Sequence, residues 1–429
     1  MAMTAAHGGD DLWSTSRRRA ILAGMVGHML EWYDFAVYGY LATHIGALFF
    51  PSTDETVSLL TSLATFGVGF VARPVGSILF GKLSDVRGRR IALSASYIMM
   101  AVATVIIGIL PGYATIGILA PILLVTARLV QGLAAGGEIS GAIVFLVEWA
   151  PEHRRGFVGS FHQMASGLGF LLGSFITAAL SSVLSAGDMA SWGWRIPFLI
   201  GAVVGPLGYL LRSRVEESPL FEADKAARKS VERNPNVLSQ AFRAFMFGSF
   251  WAIAFYLILS YMPTFAQRNL GISGPQAFWV NTLTLSIYVF AIPTAGYLSD
   301  RLGRKPLLIG SCLGFALLGY PVFSALIGNA SIGGFFWAVL LFTVLLAMYA
   351  GPSPATVSEV FETRDRGMGM ALGYTLSATV FGGFTPFAAL WLTEYFKTAL
   401  APIIYVSVAA VLTLIFITTQ RETAKDAIR

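Results

Sequence analysis

Apolar residues run along this chain in long uninterrupted blocks separated by short polar segments, without the period-2 alternation of a half-exposed strand. The blocks are roughly 20 residues or more, and about 20 residues of helix cross a bilayer core about 30 Å thick. In hydrocarbon every backbone N–H and C=O must be satisfied within the segment or in a closed barrel. Continuous apolar runs select helices over a barrel. The pattern predicts twelve spans, at 20–49, 57–80, 91–111, 116–149, 155–184, 192–213, 241–266, 276–298, 306–327, 333–358, 367–393 and 399–419. The first and fourth exceed the bilayer thickness, so they are expected to tilt or protrude. The fold class is an all-α polytopic membrane protein.

Composition agrees: 55% of the 429 residues are hydrophobic and 12% charged, too few charges to coat a soluble domain of this length. Charge placement adds orientation. With both termini in the cytoplasm, 24 of the 29 Lys and Arg residues fall on the cytoplasmic side. Arg195, Arg268 and Lys397 fall on the other side, and Arg73 and Arg128 lie within spans. This is the positive-inside asymmetry, and gaining or losing one span would destroy it. The net charge of +6 therefore reflects topology and implies no nucleic-acid partner. The arginines before the first apolar block could mimic a secretory signal, but Glu31 and Asp34 within the block mark a retained helix. Cys312 is the single cysteine, so no disulfide forms within the chain.

The sequence also repeats. GKLSDVRGRR at 81–90 returns as GYLSDRLGRK at 296–305, and Glu148, Arg155 and Gly156 return at the same spacing as Glu359, Arg366 and Gly367. Two related six-helix units explain both repeats. The expected organisation is a cytoplasmic N-terminal tail at 1–19, a six-helix bundle at 20–213, a cytoplasmic linker at 214–240, a second bundle at 241–420 and a short tail at 421–429.

These residues carry a resemblance. The loop with Gly81, Asp85, Gly88, Arg89 and Arg90 resembles the signature loop of the major facilitator superfamily. Glu31-Trp-Tyr-Asp-Phe35, Arg73-Pro-Val-Gly76, Arg128-Leu-Val-Gln-Gly132, Gly136-Gly-Glu138, Trp192-Gly-Trp-Arg-Ile-Pro197 and Glu217-Ser-Pro219 resemble its metabolite:proton symporter family. That resemblance implies a secondary active transporter of the bacterial cytoplasmic (inner) membrane. Members of the family carry citrate, 2-oxoglutarate and other organic acids, or proline and betaine. No cofactor is implied beyond the proton as coupling ion, and the expected unit is a monomer in the lipid bilayer.

An ionisable group near the bilayer centre costs on the order of 3 kcal/mol, so such groups are functional by default. Arg128 and Gln131 are one helical turn apart, and Glu138 lies about 80° round from Arg128. Arg128 offers a bidentate fork to a substrate carboxylate; its structural alternative is a permanent pair with Glu31, Asp34 or Glu138. Arg73 carries the same two readings, with its Arg-Pro setting favouring structure. Glu31, Asp34 and Glu138 are the proton-coupling candidates, since a carboxylate beside a cation can exchange a proton as substrate enters and leaves. His28 reads as a packed neutral histidine. Tyr33, Gln163, Tyr256, Tyr261, Asn281 and Tyr374 are weaker substrate-binding candidates, with helix packing an equal reading.

At the cytoplasmic loops, Asp85, Arg89, Arg90, Glu148 and Arg155 form one constellation, and Asp300, Arg304, Lys305, Glu359 and Arg366 repeat it. The resemblance implies salt bridges that close the inner face and break in each cycle. No His-Glu-x-x-His, Gly-x-Ser-x-Gly or Cys/His ligand cluster is present, so neither an enzyme nor a metal site is expected. For substrate, Arg128 points to a di- or tricarboxylate such as citrate or 2-oxoglutarate. The short tail, unlike the long extension of osmosensing betaine carriers, points the same way. The alternatives are a zwitterionic osmolyte (proline, glycine betaine), which needs an aromatic cage, and a shikimate-like or aromatic acid.

Overall fold

The computed structural model describes residues 15–87, 89–136, 143, 146–147, 150–201, 237–361 and 366–424. In chain order the helices are α1 (Thr15–Tyr40, continued as Ala42–Phe49), α2 (Glu55–Val71, continued as Arg73–Arg87), α3 (Arg89–Ile109), α4 (Leu119–Gly136), α5 (Arg155–Val183) and α6 (described over 195–201). The second half holds α7 (Val237–Phe255, a widened turn Tyr256–Tyr261, then Met262–Asn269), α8 (Gly274–Leu302), α9 (Arg304–Gly328), α10 (Ile332–Ala350, then Ser353–Glu359), α11 (Arg366–Ser377, a widened turn Ala378–Gly382, then Thr385–Phe396) and α12 (Ala401–Thr419). Among the described residues nine helices are long and apolar enough to cross a membrane. With α1, α3 and the start of α6 they fill the twelve expected positions. Span four begins at Leu119, later than expected, because Tyr113–Ile116 forms a separate turn ended by Gly117 at φ 58°, a conformation that favours glycine. The last four residues of the expected linker, 237–240, already belong to α7, and the rest of it, 214–236, lies outside the described residues, as do Glu138 and Glu148.

The halves meet chiefly through α5 on α8, with α1 and α2 against α7 and α11. Two prolines shape that interface. Pro74 has no N–H, so α2 breaks at Ala72 and the Phe70 carbonyl, four residues back, loses its helical donor. Thr379 Oγ1 on α11 reaches that carbonyl at 3.2 Å, sharing its one proton between it and the Thr375 carbonyl of its own helix at 2.9 Å. Pro263 likewise frees the Leu259 carbonyl on α7, which accepts from Tyr40 Oη on α1 at 2.9 Å. Each proline thus leaves on one half an acceptor that a hydroxyl of the other half takes up.

Contacts between halves close both ends of the interface. At the end where α5 begins, Asp300 accepts from the backbone N–H of Gly156 and of Phe157, both at 2.8 Å. The first turn of α5 offers unpaired donors and the positive end of its dipole to that carboxylate. At the opposite end Asn281 Nδ2 donates to Tyr40 Oη at 3.0 Å, and the Ser174 and Thr282 hydroxyls pair at 2.8 Å. The middle of the interface is enclosed between these two belts.

Candidate functional site

The middle of the molecule divides into a charged network in the first half and an aromatic wall shared by both halves. Helix α1 supplies the charged network with Glu31 and Asp34, which are one turn apart and both buried. Arg73, the first residue after the break in α2, reaches Glu31 at 3.4 Å (Nη2 to Oε1). Its guanidinium carbon lies 4.1 Å from the ring centre of Phe70 and 4.4 Å from that of Phe35. Aromatic faces attract a desolvated cation, so these rings partly replace its lost water. None of the three Arg73 guanidinium nitrogens makes a hydrogen bond among the described residues.

Arg128 sits deeper within the first half, over the rings of Tyr38 (4.3 Å) and Phe35 (4.9 Å). Among the described residues it meets the acids of α1 through a chain of side chains. Its Nη1 donates to Gln131 Oε1 (2.8 Å), and Gln131 Nε2 donates to Thr104 Oγ1 (2.9 Å). Thr104 Oγ1 in turn lies 2.7 Å from Asp34 Oδ2. Of the partners weighed for Arg128, Asp34 is therefore reached indirectly, Glu31 pairs with Arg73, and Glu138 lies outside the described residues. His28 is packed as expected. Its Nε2 accepts from Trp32 Nε1 at 2.8 Å, which leaves the ring proton on Nδ1, 4.0 Å from Glu31 Oε2. The His162 ring lies on it at 3.9 Å.

The aromatic wall faces this network across the interface. Trp32 of α1 stacks on Tyr256 at 5.9 Å and meets Phe255 at 5.0 Å and Trp251 at 6.0 Å. Trp251 stacks on Tyr374 at 5.4 Å, and Gln163 Nε2 donates to the Tyr374 hydroxyl at 3.1 Å. Tyr256 opens the widened turn of α7 and Gly382 closes that of α11. A Cβ on Gly382 would come within 2.8 Å of the Tyr256 ring, and one on Gly383 within 2.5 Å of the Phe70 ring. The two glycines thus let α11 lie against the wall. The Tyr256 hydroxyl and Gln163 Oε1 are buried with no hydrogen-bond partner among the described residues. Buried polar groups are normally paired, so these two atoms leave unused hydrogen-bonding capacity at the interface.

Other expected residues take structural places. Tyr33 turns its hydroxyl to the Pro197 carbonyl at 2.7 Å, within the first half. Asn281 belongs to the belt closing one end, and Tyr261 is buried in the widened turn of α7. At the other end Arg304 bridges Asp300 (2.7 Å) and Glu359 (3.1 Å). Arg155 is buried nearby. The side chains of Asp85, Arg89, Arg90 and Arg366 lie outside the described residues. Trp32, Phe70, Trp251, Phe255 and Thr104 were not among the expected site residues. Trp32 stands between Glu31 and Tyr33 in the sequence and could have been found there; an isolated threonine on an apolar helix gives no such signal.

A helical membrane protein of two six-helix halves, closed around a buried polar centre, is a transporter rather than an enzyme. The chain matches the sugar (and other) transporter family over residues 20–244 and the Major Facilitator Superfamily over 252–428. It is 34% identical over 426 residues to the proline/betaine transporter of Escherichia coli (strain K12), covering 96% of this chain and 85% of that one. It is also 34% identical over 399 residues to the citrate-proton symporter of Klebsiella pneumoniae, covering 92% and 90%. The xylose transporter XylE of E. coli, in a partially occluded inward-open conformation, shares the fold with TM-score 0.78 at 19% identity, covering 96% of this chain and all of that one. The chain belongs to the major facilitator superfamily, within its metabolite:proton symporter family.

Proposed function

We propose that this protein imports a small zwitterion, such as proline or glycine betaine, by proton symport with alternating access. The aromatic wall of Trp32, Trp251, Tyr256 and Tyr374 beside the Arg73 guanidinium carries the reading. Aromatic faces hold a quaternary or secondary ammonium by cation–π attraction, of about 2 kcal/mol once desolvated. Arg73, paired with Glu31 but with no hydrogen bond on its nitrogens among the described residues, suits the carboxylate at the other end of the same small molecule. The charge balance agrees: Arg73 and Arg128 face Glu31 and Asp34, so with both acids ionised these four groups sum to zero. A neutral zwitterion enters such a centre without adding net charge to a low-dielectric interior, whereas a di- or tricarboxylate does not.

The aromatic wall thus outweighs the isolated Arg128 that favoured an organic acid in the sequence. The similarity to a proline/betaine transporter supports the same side. The citrate-proton symporter at equal identity, with two buried arginines present here, supports a carboxylate as the rival substrate. Asp34 is the proton carrier in this reading, because its carboxylate is joined to Arg128 through groups that donate and accept. The charge asymmetry of the loops supports a cytoplasmic membrane location with both termini inside.

Thermal unfolding of the purified protein with proline, glycine betaine, citrate or 2-oxoglutarate tests the substrate. Ligands that bind only the folded state raise its unfolding temperature by mass action. Stabilisation by a zwitterion and not by the acids is expected; stabilisation by citrate or 2-oxoglutarate alone would overturn the assignment.

A further inference from the structure

Thr104 has a place in the centre that no family motif marks. It lies on α3, and its side-chain oxygen touches three groups: Asp34 Oδ2 at 2.7 Å, Gln131 Nε2 at 2.9 Å and its own helix's Met100 carbonyl at 3.0 Å. A hydroxyl has one proton and two lone pairs. It can donate to Asp34 or to Met100, but not to both at once.

That arithmetic separates two states. With Asp34 ionised, the carboxylate only accepts, so the Thr104 proton points at Oδ2 while its oxygen accepts from Gln131. With Asp34 protonated, the acid itself becomes a donor and gives its proton to Thr104 Oγ1. The Thr104 proton then turns to the Met100 carbonyl, and the bond from Gln131 stays. Each state is fully hydrogen-bonded, and passing between them takes one hydroxyl rotation with no movement of a helix. Burial makes this matter: Thr104 is fully buried and Asp34 nearly so, and an unsatisfied donor or acceptor there costs about 1–3 kcal/mol.

The surroundings fix the carboxylate in place. A Cβ on Gly201 of α6 would come within 2.8 Å of Asp34 Oδ1, so the glycine admits the acid and a larger residue would displace it. A narrow cavity inside the first half reaches Asp34 between α1, α3, α4 and α6, past Ser96 and Tyr97. It has room for about one water, and it lies on the side of α1 away from the aromatic wall. The titratable and charged groups around Asp34 are Glu31 and Tyr33 on α1, Arg73 on α2, Tyr97 on α3 and Arg128 on α4.

We propose that Thr104 is a positioning residue for proton coupling, a rotating hydroxyl that satisfies Asp34 in both protonation states and ties it to the Gln131–Arg128 pair. This rests on Asp34 being the proton carrier, and the test separates the two claims. Infrared difference spectra of the purified protein are recorded across a pH titration, following the C=O band of a protonated carboxyl group; no substrate is needed. Asp34→Asn should remove a titrating band. Thr104→Val, which keeps the shape and loses the hydroxyl, should change the frequency of that band and move its midpoint up by about one pH unit, since the charge-assisted bond lost from the ionised form is stronger than the neutral one lost from the protonated form. Thr104→Ser should restore both to wild type.

If Asp34→Asn leaves every titrating band in place, Asp34 is not the proton carrier and both claims fall. If Asp34→Asn removes the band but Thr104→Val leaves its frequency and midpoint unchanged, only the role of Thr104 falls. Should Thr104→Val not fold, Thr104→Ala gives the same reading. A serine variant that titrates like the valine one would also overturn the proposal, because it keeps the hydroxyl.

Discussion

The two halves repeat each other at their ends and differ in their middles. GKLSDVRGRR and GYLSDRLGRK mark matching loops, yet α1, α2 and α4 bury Glu31, Asp34, Arg73 and Arg128 while α7 and α11 bury Trp251, Tyr256 and Tyr374. Both halves come from one duplicated unit, so a requirement common to both has kept the ends alike. Closing and opening an end is a task each half performs. In the proposed reading, binding a proton and recognising a cation are separate tasks, the first falling to the charged groups of the first half and the second to a wall built mainly from the second half. The charged groups of the second half, Asp300, Arg304 and Glu359, lie at its end rather than its centre.

Breaking the end cluster should have the largest effect on stability. Arg304→Gln leaves Asp300 and Glu359 buried without their cation, which costs about 3–5 kcal/mol. A large fall in unfolding temperature is expected, against a smaller one for Arg73→Gln, which uncovers a single buried acid, Glu31, and among the described residues loses no guanidinium hydrogen bond. Equal falls would mean that end and centre are built alike. The aromatic side comes next. Trp251→Ala removes a cation–π face of about 2 kcal/mol, so the half-saturating concentration of proline or glycine betaine should rise roughly 30-fold. A variant with unchanged saturation would move recognition away from the wall.

The smallest effect sharpens the comparison at the loop ends. Glu422 accepts from the backbone N–H groups of Arg304, Lys305, Thr423 and Ala424, capping the start of α9 from outside the helix. Burial pushes its carboxyl up, but the backbone donors outweigh that and hold it below the ordinary carboxylate range. A depressed value favours the folded state once the unfolded carboxyl is ionised, above about pH 4.3. The contribution is therefore complete at neutral pH and fades as pH falls through the lower folded value. Glu422→Gln should cost about 1 kcal/mol at pH 7, like a lost helix cap, and nothing in strong acid. A cost independent of pH would point to packing instead of charge.

Much of this was legible in the sequence, for physical reasons. Span positions follow from apolar length, which the bilayer fixes, and the duplicated loops announced two halves. Buried charges are rare enough that Arg73, Arg128, Glu31 and Asp34 stood out singly. Their pairing did not, because which arginine meets which acid depends on helix rotation and tilt, and Arg128 reaches Asp34 through Gln131 and Thr104. The aromatic wall was hidden for a different reason. The chain has 32 Phe, 15 Tyr and 9 Trp, and an aromatic facing lipid reads in sequence like one lining a site. Only the crossing of α1 over α7 and α11 separates Trp32 and Trp251 from Trp337 and Trp391, which are exposed.

Proton movement during substrate entry tests the division of labour most directly. The protein is placed in liposomes holding a pH-sensitive dye, and proline, glycine betaine or citrate is added outside without an imposed gradient. Proline or glycine betaine should acidify the lumen in wild type; with Asp34→Asn the substrate should still exchange across the membrane but carry no proton. Acidification driven by citrate and by neither zwitterion, or zwitterion-driven acidification that survives Asp34→Asn, would contradict the account.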